Sequence, residues 1–169
     1  EQKFLELALT KYNKNNFKES IKDFDEAIKL RTNYSEAYYW RANAKKHLCL
    51  YEKAIEDYSK AIKINPKYIK AYSWRGYIYF ELEQYKEAIN DFDKSIDLGN
   101  KDDWFFDRGF AKNILKRYEE AIKDFDKSIE LDNKEPSTFN SRGLAKHLLD
   151  RYEEAIKDFD EAIKLNPKE

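Results

Sequence analysis

The 169-residue chain is long enough to bury a core, and its 32 Lys plus Arg stand against 33 Asp plus Glu, for a formal net charge of -1. That balance excludes the basic footprint of a dedicated nucleic-acid binder. The single cysteine, Cys49, excludes an internal disulfide, and no apolar run approaches the ~18 to 20 residues of a membrane-spanning helix, so membrane insertion is not expected. The chain opens on Glu1 without a basic-then-apolar leader, and the expectation is a piece of a longer protein, placed by default in the cytoplasm.

In chain order the sequence alternates two kinds of segment. The first kind carries a pair of adjacent markers: Leu7-Ala8, then Arg41-Ala42, Arg75-Gly76, Arg108-Gly109 and Arg142-Gly143. The second kind begins at Phe17, Tyr51, Tyr85, Tyr118 and Tyr152, starts that lie 34, 34, 33 and 34 residues apart. A fixed period of this size overrides any element-by-element reading. It divides the chain into 1–34, 35–68, 69–101, 102–135 and 136–169. In the second unit Tyr51, Ala54, Ile55, Tyr58, Ala61 and Ile62 fall at i, i+3, i+4, i+7, i+10 and i+11, one apolar stripe along a helix. Asn65-Pro66 and Asn166-Pro167 then stop the second helices of their units. The opposite side is solvated, with Glu56 ahead of Lys60, Glu119 ahead of Lys123 and Glu153 ahead of Lys157 at i,i+4. The third unit is one residue short near Leu98-Gly99-Asn100, where glycine can take a left-handed conformation.

These residues resemble the tetratricopeptide repeat, whose pattern runs from an aromatic to a small residue, then alanine, aromatic and proline. In the second unit Tyr38, Ala42, Ala54, Tyr58 and Pro66 take those places, and Gly76, Gly109 and Gly143 fill the small position elsewhere. The resemblance covers the whole chain. It implies an all-α fold, an α-solenoid of five helix-turn-helix hairpins forming a right-handed superhelical arc, read as one domain over 1–169. The small position is needed because two antiparallel helices approach closely there.

The leucine usual beside the glycine is arginine in four units, and each of those units holds an aspartate in its second helix. Structural pairs are expected between Arg41 and Asp57, Arg75 and Asp91, Arg108 and Asp124, and Arg142 and Asp158. The competing reading has four stacked cations reaching a ligand.

Little points to chemistry. His47 and His147 lie three repeats apart without a carboxylate or cysteine partner at metal-ligand spacing, and His47 and Cys49 are two apart on one predicted helix. Phosphate-cradling and nucleophile-elbow motifs are absent. No catalytic residue, metal or cofactor is expected, and the chain is not read as an enzyme.

The informative residues lie on first helices, on the side turned from the stripe that closes each hairpin. Advancing ~100° per residue, Tyr72, Arg75, Gly76 and Tyr79 share one side, while Ser73, Tyr77 and Phe80 point the other way. Trp74 stands at the margin, and Leu5, Leu9, Tyr12, Tyr39, Trp40, Phe106 and Phe110 take equivalent places in other units. The family resemblance implies that this side lines a concave groove where partners bind. The expected partner-binding residues are Tyr39, Asn43, Trp74, Tyr77, Phe106, Phe110 and Asn140, with aromatic anchors and side-chain amides for a peptide backbone.

The carboxylate clamp found in some family members is not expected, because Trp74, Asp103 and Asp107 fall where further cations or asparagine are wanted. The leading expectation is a scaffold for a protein or peptide partner. Stacking on nucleic acid or glycan is one alternative, and a targeting arm of an enzyme whose catalytic domain lies elsewhere is another. The last hairpin is expected to leave Phe159 or Ile163 partly uncovered and to invite self-association.

Overall fold

The computed structural model describes residues 1–100 and 104–166. Ten helices and no strand occur among them, in five successive pairs: α1 (Gln2–Asn13) and α2 (Phe17–Leu30); α3 (Ser35–His47) and α4 (Tyr51–Ile64); α5 (Ile69–Glu81) and α6 (Tyr85–Asp97); α7 (Phe105–Ile114) and α8 (Tyr118–Leu131); α9 (Pro136–His147) and α10 (Tyr152–Leu165). The fold is an all-α solenoid. Two compact units divide it, Glu1–Ile78 and Tyr79–Glu169, with the division inside α5.

In the first unit α1 packs on α2 and α3 on α4, and α3 also lies against α2. Its core joins Leu5, Ala8, Phe24, Ala27, Ile28 and Ala37, with Tyr34, Tyr38 and Trp40 packed around them. In the second unit α7 packs on α8 and α9 on α10, while α7 also meets α6 and α9 also meets α8. The aromatic of the second-helix stripe, Phe24, Tyr58, Phe92 or Phe125, is fully buried in each of four hairpins. Burial of such stripes is what stabilises short helices that would be marginal alone.

The small position works by close approach. A Cβ on Gly109 would sit 3.0 Å from the Phe125 ring, and one on Gly143 would sit 2.8 Å from the Phe159 ring. The turns within hairpins share one device, since Asn15, Cys49, Glu83, Lys116 and Asp150 all have φ between 56° and 61°. The next amide then reaches back to close the first helix, as when Leu50 N–H donates to the Lys45 carbonyl at 2.9 Å and Arg117 N–H to Lys112 at 2.9 Å. Cys49 therefore lies in a turn beyond α3 and does not share a helix with His47, a correction to the sequence reading. Second helices end differently. Asn65 and Asp132 accept side-chain bonds from the amides two residues on, whereas α6 ends on Gly99 at φ 89°.

Candidate functional site

The arginines resolve into structural networks. Arg41 forks onto Asp57, its Nε donating to Oδ2 at 2.8 Å, and its Nη1 reaches Asp25 of the preceding hairpin at 2.6 Å. Lys45 joins the same Asp57 carboxylate at 2.6 Å. Arg108 repeats this with Asp124, Asp93 and Lys112, and Arg142 with Asp158, Asp126 and Lys146. Each guanidinium also lies over the aromatic three residues earlier, as Arg41 does over Tyr38 at 5.3 Å. Burial opposes the charge of Arg41, but hydrogen bonds and attraction from Asp57 and Asp25 outweigh it and raise the guanidinium above its usual value. These cations clasp one hairpin to the next. In the third hairpin Arg75 Nη1 donates to Ser59 Oγ at 2.8 Å, because Ser59 stands where the other junctions have aspartate, and Asp91 lies buried.

The first-helix residues separate into two groups. Tyr39, expected on the binding face, is buried at 5% exposure against Tyr58 and Tyr68. Asn43, also expected there, is buried, and its amide donates to the Tyr39 carbonyl at 2.9 Å. Leu5 and Ser73 are buried likewise. The reason is geometric: a first helix in an array touches its own partner helix and the neighbouring hairpins, so its far side is only partly open.

The rest of that side stays accessible. In the first unit Trp74 and Tyr77 are half-buried and meet edge to face at 5.8 Å, with Lys46 Nζ 3.3 Å above the Trp74 ring. Burial pushes the Lys46 ammonium down to about 8. His47 stacks on Phe17 at 4.5 Å and shares a 3.0 Å hydrogen bond with the Tyr12 hydroxyl, and burial together with the Lys46 charge lowers its pKa. In the second unit Phe110 is half-buried between Phe80 and Phe106. On the same helix Ile114 is 50% exposed, and on α9 or the turn after it Leu144 is 46% and Leu148 48% exposed. Asn140 is exposed and lies beside Ile163.

Ile114, Leu144 and Leu148 were not singled out in the sequence. The available signal was position: Leu144 takes the place of Phe110 one repeat on, and Ile114 and Leu148 follow those residues by four, on the same helical face.

Tandem helical hairpins clasped by arginine, each offering part of a first helix to solvent, define a repeat protein of the solenoid class. The comparisons with known proteins give the family. Profiles described as TPR repeat and tetratricopeptide repeat match residues 51–82, 69–99 and 136–169, and 4–34 and 105–135. The chain belongs to the tetratricopeptide repeat family. No curated protein matches it in sequence. Among solved structures it is similar to the MamA protein, with 21% identity, 99% of this chain and 92% of that one covered, and a TM-score of 0.90. It is similar to MamA 41-end from Desulfovibrio magneticus RS-1, at 19% identity, with 99% and 96% covered and a TM-score of 0.88. It is also similar to YrrB, described as a TPR protein with an unusual peptide-binding site, at 22% identity, with 98% and 86% covered and a TM-score of 0.91. At these identities the likeness is one of fold. Among the described residues no helix is long and apolar enough to cross a membrane.

Proposed function

We propose that this chain is an interaction scaffold that holds a helical or extended segment of a protein partner on the open strip of its first helices. The observation that carries this reading is the exposure of Ile114, Leu144 and Leu148, which continue the register of half-buried Phe110 on successive first helices. Adjacent exposed apolar side chains on a repeat array have no evident use inside the fold, and such patches mark interaction sites. The strip presents no cluster of His, Cys, Asp or Glu among the described residues that could hold a metal ion. Its chemistry is that of apolar contact, with Asn140 as a polar flank. The peptide-binding site in the description of YrrB is consistent with a scaffold of this kind.

The test is selection of binders from a phage-displayed library of helical 15-residue peptides. Selected peptides should carry apolar residues at i and i+4 or i+7, and Leu144→Asp with Leu148→Asp should weaken them about 30-fold, as loss of an anchor worth ~2 kcal/mol requires. Thermal unfolding of the double variant should stay within a degree or two of the native chain, because both side chains are exposed. Binders that ignore the double variant would remove this strip from the function.

A further inference from the structure

We infer that a cavity at the junction of α8 and α9 is a binding site for a primary ammonium group on an alkyl chain, the shared chemistry of a lysine side chain and a free amine. Apart from Phe106 its walls share no residue with the strip proposed above, so the two readings are tested by different variants.

Equivalent positions at the first two junctions show how this one differs. Tyr34 and Tyr68 stand seven residues before Arg41 and Arg75. Tyr68 lies on Tyr39 at 4.9 Å, and Tyr34 packs on the cluster that contains Leu5, and both of those first-helix residues are buried. Seven residues before Arg142 stands Glu135 instead, and Phe106, in the register of Leu5 and Tyr39, is only half-buried. At the register that a tyrosine ring fills elsewhere there is a cavity of about 360 Å3, with Phe106 as one wall.

The walls are also acidic. Asp107, Asp132 and Glu135 line the cavity, and no lysine, arginine or histidine does. The same three positions are Glu6, Arg31 and Tyr34 where α2 meets α3, and Trp40, Asn65 and Tyr68 where α4 meets α5. Of the three junctions, this one alone gathers three carboxylates. The Lys134 amide donates to one oxygen of Asp132 at 2.9 Å and Ser137 Oγ to one oxygen of Glu135 at 2.8 Å, and neither carboxylate meets a cation among the described residues. Thr138 is an independent sign. It takes the place of Ala37 and Ala71, is 1% exposed and lines the same cavity, and its hydroxyl has no hydrogen-bond partner among the described residues. Buried hydroxyls are nearly always paired, so an orphan on the wall of a polar cavity points to a ligand that donates to it.

Charge and geometry choose the ligand. Three carboxylates in one cleft focus a negative potential and attract a cation. They come from α7, from the end of α8 and from the entry to α9, an arrangement that surrounds a compact ammonium with three divergent N–H donors better than it meets the flat fork of a guanidinium. Phe106 offers its ring to the charge or to the methylene stem behind it. Among the described residues no group of His, Cys, Asp or Glu is arranged to hold a metal ion, which favours an organic cation.

The probe is butylammonium chloride, the head and stem of a lysine side chain, titrated into the isotope-labelled 169-residue chain at constant ionic strength and followed by amide NMR shifts. Saturable shifts are expected at Asp132, Glu135, Ser137 and Thr138, with a Kd on the order of 1 mM. Glu135→Gln, Asp132→Asn and Thr138→Ala should each weaken binding at least about threefold, and Glu135→Tyr, which installs the residue of the first two junctions, should abolish it. Circular dichroism of each variant checks that the fold is kept. Tetramethylammonium carries the charge without N–H donors and should bind at least about threefold more weakly than butylammonium. A second pair of probes separates the sources: tighter binding of acetyl-lysine methylamide assigns the cavity to a peptide's lysine, and tighter binding of cadaverine assigns it to a free amine. No saturable shift up to about 50 mM butylammonium, tetramethylammonium bound as tightly, or binding indifferent to Glu135→Gln and Thr138→Ala would overturn the inference.

Discussion

Residues 118–126 and 152–160 are the same nine amino acids, Tyr-Glu-Glu-Ala-Ile-Lys-Asp-Phe-Asp, and open α8 and α10. Their surroundings differ. Ile122 is 6% exposed and Ile156 57%; Phe125 is fully buried and Phe159 only partly; Asp126 receives Arg142, while its counterpart Asp160 is exposed. The identical parts are those facing the hairpin's own first helix: Ala121 and Ala155 are both buried, and Asp124 and Asp158 both hold an arginine and a lysine. A second helix therefore has one side answered within its own hairpin and another answered only by a neighbour. The difference between α8 and α10 is the presence of α9 on the former.

The strongest way to break that comparison is to truncate the same isoleucine twice. Ile122→Ala should destabilise the chain by about 3 kcal/mol, as removal of a buried branched side chain does, whereas Ile156→Ala should change it by less than about 0.5 kcal/mol. Urea unfolding monitored by circular dichroism reads both, and equal losses would mean that α10 is covered in solution. The comparison is sharpened by a change inside the hairpins, where the two should agree. Gly109→Val and Gly143→Val should each cost about 2 kcal/mol, because the added atoms meet Phe125 and Phe159 across the helix pair. A large gap between them would show that the last hairpin is closed less firmly than its geometry indicates.

The smallest effect concerns the first unit, where Lys46 is pressed against Trp74. Burial depresses this lysine from its usual 10.5 to about 8, so between those values the unfolded chain binds more protons than the folded one. Stability should therefore rise with pH across that window and level off above it. Lys46 retains partial contact with water, which reduces the contribution to less than about 1 kcal/mol. Lys46→Gln should flatten the rise in chemical-denaturation curves taken from pH 7.5 to 10.5. An unchanged slope would assign the rise to other groups.

The repeat period, the hairpins and the small positions were legible in the sequence, because Tyr51, Ala54, Ile55, Tyr58 and Ala61 repeat a helical stripe whose partner is only a few residues away. The pairing of Arg41, Arg108 and Arg142 with an aspartate of the same hairpin was readable for the same reason, both residues recurring at a fixed offset within the unit. Their second bonds, to Asp25, Asp93 and Asp126 of the preceding hairpin, were not drawn from it. The binding face was legible only in part. Treating a first helix as having one inner and one outer side put Tyr39 and Asn43 in the open, but Tyr39 is enclosed by Tyr58 of its own hairpin and Tyr68 leading into the next.

What the sequence determined alone is whatever depends on contacts within about 34 residues: helix periodicity, turn positions and the approach of the two helices in a hairpin. What only tertiary structure decided is which side of each helix a neighbouring hairpin covers. The nine shared residues of α8 and α10 show why: burial belongs to a pair of surfaces, and a sequence segment specifies only one of them.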